Sequence, residues 1–178
     1  ITIDNSKLGS VSGFQLVSGA VDSVIISNNV PFDGLGSVTG FSGIATVGAI
    51  SITDNLLQLV NGFTFAAGAS SSVGNIIFSA NSVATGFTLP IPMELNGFTN
   101  MVMNQGHISI TNNIGLEVVS GFILAESIRS SVAAVVVTGN SGLALVSGFT
   151  ALHPATTVDA VEILDNDWDA PGTIESTA

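Results

Sequence analysis

Ile108-Ser109-Ile110-Thr111-Asn112-Asn113-Ile114-Gly115-Leu116-Glu117-Val118-Val119-Ser120-Gly121-Phe122 carries two signals in one short stretch. It opens with apolar residues at alternate positions, the period of a strand that buries one face. An Asn follows three residues after the second of them, and the stretch closes on Val-Ser-Gly-Phe. Both signals recur along the chain. The apolar-x-apolar-x-x-Asn element returns at Val24, Ile26 and Asn29; at Ile50, Ile52 and Asn55; and at Ile76, Phe78 and Asn81. Further on it is Val135, Val137 and Asn140, then Val161, Ile163 and Asn166, while Ile1 and Ile3 lead to Ser6 in the Asn slot. The slots are spaced 23, 26, 26, 32, 27 and 26 residues apart, and seven of the ten Phe residues directly follow a Gly.

A unit of this length cannot bury its own apolar face, but stacked units share one core, which is the logic of a solenoid. At each corner the backbone amides lose water and need partners. An inward Asn offers both a carbonyl and an amide, so Asn29, Asn55, Asn81, Asn113, Asn140 and Asn166 are expected to form a ladder. Gly before Phe permits a tight bend at positive φ. Phe14, Phe41, Phe63, Phe122 and Phe149 are then expected to stack as an interior aromatic column. The long unit holds two Gly-Phe pairs, ending at Phe87 and Phe98, with Pro90 and Pro92 between them. The stretch 88–96 is therefore read as an inserted loop.

These units resemble leucine-rich repeats of the receptor-L-domain variety. The strand-then-Asn core of Ile108–Asn113 matches the L-x-L-x-x-N part of that pattern, with Ile and Val in place of Leu. The resemblance covers residues 1 to about 168. It implies a right-handed solenoid with a parallel strand ladder on one face and irregular or strand-like segments on the others. Gly and Ser throughout the connecting stretches disfavour long helices. The expected fold is thus all-β: a right-handed parallel β-solenoid, a leucine-rich-repeat-like stack of about seven units with little helix. Residues 1–168 form its single domain, and 169–178 an acidic C-terminal tail, cap or junction.

Composition narrows the function. Of 178 residues, 46% are hydrophobic and 8% charged, against about a quarter charged in ordinary soluble domains. Disordered chains show the opposite balance. No apolar run approaches the roughly 18 residues of a membrane helix, so no transmembrane segment is expected in this chain. Lys7 and Arg129 are the only basic residues, at a net charge of −11, which argues against nucleic acid as a partner. There is no Cys, and no Asn-x-Ser/Thr acceptor for N-glycosylation. The chain opens directly in a strand pattern, as expected of a segment that has lost a leader and belongs to a longer protein.

Three sets of residues are candidates for function. One outward strand column reads Asp4, Ser27, Thr53, Ser79, Thr111, Thr138 and Leu164, and its Ser27–Thr138 run is an uncharged hydroxyl array. Such an array resembles the ice-binding faces of β-solenoid antifreeze proteins. The neighbouring column, Thr2, Ile25, Ser51, Ile77, Ser109, Val136 and Glu162, has apolar members suited to burial against another subunit. Asp165, Asp167 and Asp169 offer hard oxygens for calcium. An EF-hand would need Gly and Glu where Ala170 and Ser176 stand, so a solvated acidic cap is the other reading. His107 and His153 occupy non-equivalent places, and no Gly-x-Ser-x-Gly elbow or cofactor fingerprint occurs. The expectation is a non-enzymatic extracellular or cell-surface structural protein that self-associates or binds another surface protein, without cofactor unless calcium. Ice binding and a ligand-binding ectodomain module are the alternatives.

Overall fold

In a computed structural model of the chain, the residues described are 1–7, 9–12, 20–30, 36–39, 42–44, 46–61, 63–65, 72–83, 92–126 and 128–174. Strands follow one another in a repeating order. The first turn contributes β1 (Thr2–Asp4) and β2 (Ser10–Ser12). The second has β3 (Ala20–Ser27), β4 (Ser37–Thr39) and β5 (Ser42–Ile44). The third has β6 (Thr46–Thr53), β7 (Leu59–Val60) and β8 (Phe63–Phe65). The fourth has β9 (Ser72–Ser79), β10 (Met93–Leu95) and β11 (Phe98–Met101). The fifth is β12 (Asn104–Thr111), β13 (Leu116–Val119) and β14 (Phe122–Leu124). The sixth is β15 (Ser131–Thr138), β16 (Ser141–Val146) and β17 (Phe149–Ala151). The last comprises β18 (Thr157–Val158), β19 (Val161–Leu164) and β20 (Asp167–Ile174).

Each strand pairs in parallel with its counterpart one turn away, giving three sheets of 8, 7 and 5 strands. The protein is an all-β parallel solenoid with no helix among the described residues. Five turns show all three sides, because only β5, β8, β11, β14 and β17 build the third sheet. The sequence count of about seven units includes the turns at either end, for which two sides are described.

The alternation read from sequence becomes burial. Along the first sheet Val24, Ile50, Ile76, Ile108 and Val135 pair in register and point inward, as do Ile26, Ile52, Phe78, Ile110 and Val137. The second sheet adds Val11, Val38, Val60, Leu95, Val119 and Val146. Together with the buried side chains of the third sheet they make one continuous core.

Two boundaries differ from the sequence reading. Met93–Leu95, inside the stretch assigned to a loop at 88–96, is strand β10, pairing with β7 and β13; Met93 and Leu95 are fully buried. Its Met-x-Leu alternation is enough to fill the second sheet, while Thr88–Ile91 lie outside the described residues. The segment from Asp167 to Ile174 pairs with β16, with register shifts, and Trp168 packs on the core opposite Leu143. Residues 169–174 thus belong to the last strand of the second sheet, while 175–178 lie outside the described residues.

Candidate functional site

The corner between the first and second sheets is built on the Asn slots. Asn29, Asn55, Asn81, Asn113 and Asn140 are buried, and each donates both its backbone N–H and its side-chain amide to the Oδ1 of the next Asn. The distances run from 2.8 to 3.1 Å. Each Nδ2 also reaches back to a strand carbonyl of the preceding turn: Asn81 to Ile52 at 2.9 Å and Asn166 to Val137 at 2.8 Å. No buried side-chain nitrogen or oxygen among the described residues lacks a partner. In the first slot the backbone N–H of Ser6 donates to Asn29 Oδ1 at 3.0 Å.

The residue before each slot is a second corner determinant, one that the repeat pattern read from sequence does not name. Asn5, Asn28, Asp54, Ala80, Asn112, Gly139 and Asp165 all have φ between +48° and +67°, which turns the strand end so that the next side chain faces inward. Its signal in the sequence is that Asn, Asp or Gly fills six of those seven positions. The Gly-Phe corner follows the sequence logic: Gly97, Gly121 and Gly148 have φ of +79°, +72° and +68°. Phe63, Phe98, Phe122 and Phe149 stack with ring centroids 4.8–4.9 Å apart. Phe98 is the long unit's member of this column. Phe14 and Phe41 lie outside the described residues.

A second glycine column lies outside the repeat as read from sequence. Gly48, Gly74 and Gly106 stack on the first sheet, and a Cβ on Gly74 would meet the Gly48 carbonyl oxygen, as one on Gly106 would meet that of Gly74. The recurrent Val-Gly-x-Ile of Val47–Ile50 and Val73–Ile76 is its trace in the chain.

On the outer face of the first sheet, Ser27, Thr53, Ser79, Thr111 and Thr138 are paired in register from β3 to β15. All five are half-buried. Ile25, Ser51, Ile77, Ser109 and Val136 form the adjacent column. Neither column holds a charge in these five turns. At the first turn Asp4 accepts hydrogen bonds from Asn28 Nδ2 at 2.9 Å and Ser27 Oγ at 2.8 Å. These bonds, that from Asn28 foremost, hold its carboxyl below the ordinary 3.8.

Asp165, Asp167 and Asp169 do not converge. Asp165 is the turn residue before Asn166, Asp167 starts β20, and the Asp169 carboxylate lies over Gly142. No group of three or more His, Cys, Asp or Glu among the described residues is placed to hold a metal ion, and calcium is not carried into the functional reading. His107 is exposed in the middle of β12, its backbone N–H donating to Asn75 Oδ1, while His153 Nδ1 accepts from Ala155 N–H. The two are not parts of one site. At the last turn an open apolar cleft of about 310 Å³ exposes the solenoid interior between Leu124, Phe149, Val161 and Ile174.

The fold defines a three-sided parallel β-solenoid repeat protein. The chain matches no protein-family model, no curated protein sequence and no solved structure. No helix among the described residues is long and apolar enough to cross a membrane.

Proposed function

We propose that the protein is a non-enzymatic, extracellular structural solenoid of leucine-rich, receptor-L-like kind, which associates with copies of itself or another surface component through its first sheet. The observation that carries this reading is the outer face of that sheet. From β3 to β15 its two central columns contain only Ser, Thr, Ile and Val, in a chain of net charge −11. The acidic residues of these turns stand outside the two columns: Asp22 earlier on β3, Asp54 at the corner that follows Thr53, Glu94 and Glu117 on the second sheet, and Glu126 beyond the third, an uncharged strip with a solvated surround. Sedimentation and electron microscopy of purified protein test it. Concentration-dependent growth in mass, with filaments or sheets, is expected for the wild type. Ile77→Lys, in the middle of the face, is expected to leave monomers. A wild type that stays monomeric at high concentration, with no ordered assembly, would overturn the self-associating reading.

The register of the hydroxyls favours a second reading. Five hydroxyls in one column, repeating at the roughly 4.8 Å strand spacing, form a regular array for ordered water. Ice binding would appear as thermal hysteresis that Thr53→Tyr or Thr111→Tyr removes. Hysteresis unchanged by both would dispose of it.

A further inference from the structure

One corner of the solenoid departs from the repeat. Of the eight non-glycine residues at positive φ among the described residues, six precede a slot of the ladder column; the other two are Asn100 (φ +61°) and Gln105 (φ +57°). They bracket the segment that leads from β11 into β12. At the same place the pairing of β12 with β15 shifts register twice, between Asn104 and Gly106 and between Gly106 and His107. Bulges and non-glycine residues in left-handed conformations cost energy and concentrate where a side chain must be re-aimed.

What this geometry assembles is an open cleft of about 540 Å³. Its floor is Val102, Met103 and Ser130, all buried, and its rim is Asn104, Gln105 and Arg129, all exposed. The backbone on both sides is fixed. Met103 N–H donates to Ser130 Oγ at 3.2 Å, Ser131 N–H donates to the Met103 carbonyl at 2.8 Å, and Ser130 N–H donates to Thr156 Oγ1 at 3.2 Å. Gln105 Nε2 donates to Ser131 Oγ. Neither the Arg129 guanidinium nor the Asn104 amide bonds to a described residue. Arg129 is one of two basic residues in the chain, and no carboxylate is among the described residues that line the cleft.

We propose that this cleft binds an oxyanion-bearing saccharide. A guanidinium takes a carboxylate or sulfate through two parallel N–H···O bonds. The amide of Asn104 and the hydroxyls of Ser131 and Ser72 match sugar hydroxyls, and Val102 offers an apolar floor to the C–H face of the ring. A single cation in a strongly acidic protein selects an isolated anionic group over a dense polyanion. The site lies at the corner between the third and first sheets and does not depend on the association of copies.

Calorimetric titration with three oligosaccharides of equal length, one bearing a single glucuronate, one a single sulfate and one neutral, tests the proposal. At least one of the acidic oligosaccharides is expected to bind, and the neutral one to bind about tenfold more weakly or not at all. Which acidic arm binds more tightly identifies the anion. Arg129→Gln is expected to weaken the acidic ligand about tenfold while leaving the unfolding midpoint unchanged, because the Arg129 side chain is exposed and bonds to none of the described residues. Asn104→Ala is expected to weaken both acidic and neutral ligands by a smaller factor. Equal affinity for neutral and acidic oligosaccharides, full affinity in Arg129→Gln, or binding of none of the three would overturn it.

Discussion

Asn113 Oδ1 accepts two hydrogen bonds from Asn81, one from its backbone N–H and one from its side-chain amide, both at 3.0 Å. Asn81 in turn presents its own Oδ1 to Asn55 at 3.1 and 3.0 Å. The Asn81 side chain therefore accepts from two donors of the turn before it and donates both to Asn113 of the turn after it and to the Ile52 carbonyl of the turn before. Replacing it strands buried groups on both sides.

Asn81→Ala is accordingly expected to destabilise the fold by about 2–5 kcal/mol, since a buried unsatisfied group costs about 1–3 kcal/mol and more than one is created. Asn81→Asp keeps the shape but loses both side-chain donations and buries a charge, so it is expected to be no milder. Asn166→Ala, at the exposed last turn, is expected to cost less than half as much. Urea midpoints of the three variants check the order.

The close stacking of Gly48 and Gly74 leaves no room for a side chain, because the nearest atom to an added Cβ is a carbonyl oxygen of the main chain. Backbone cannot rotate away as a side chain would. Gly74→Ala is expected to cost about 1–3 kcal/mol or to prevent folding. Gly9, where an added Cβ would have nothing within 4 Å, is the control: Gly9→Ala is expected to leave the melting temperature nearly unchanged.

Ala80 holds φ +53° at a corner where five of the other turns use Asn or Asp and one uses Gly. A left-handed L-residue costs about 1–2 kcal/mol, least for Asn and absent for Gly. Ala80→Asn and Ala80→Gly are both expected to stabilise the protein, by roughly 0.5–1 kcal/mol. A fall in melting temperature for both would show that the corner is set by something other than its φ.

Asp4 ties the first turn to the second through Asn28 and Ser27, and its carboxyl is held below the ordinary 3.8. The folded state therefore binds this proton less readily than the unfolded chain. Its contribution is present above the unfolded value and is lost as pH falls through the lower, folded one. In Asp4→Asn the melting temperature is expected to change less between pH 5 and acid pH than in the wild type. Identical pH profiles would remove this role.

The repeat itself is legible in the sequence because its signals are local. Alternation at Val24 and Ile26, an Asn three residues on, and Gly before Phe all lie within one short segment, and each follows from what a strand or a corner demands of its own residues. The low charge is legible for the same reason, once apolar residues are assigned inward and Gly, Ser and Asn to corners. At Phe98 local reasoning stops. Phe87 and Phe98 carry the same local signature, and it takes the pairing of β10 with β7 and β13 to place Phe98 between Phe63 and Phe122. The glycine column at 48, 74 and 106 and the meeting of Asn104 with Arg129 at one cleft are likewise decided between turns. Neighbours in this fold are about a full unit apart along the chain, and their contact depends on coil register, which no single unit of sequence contains.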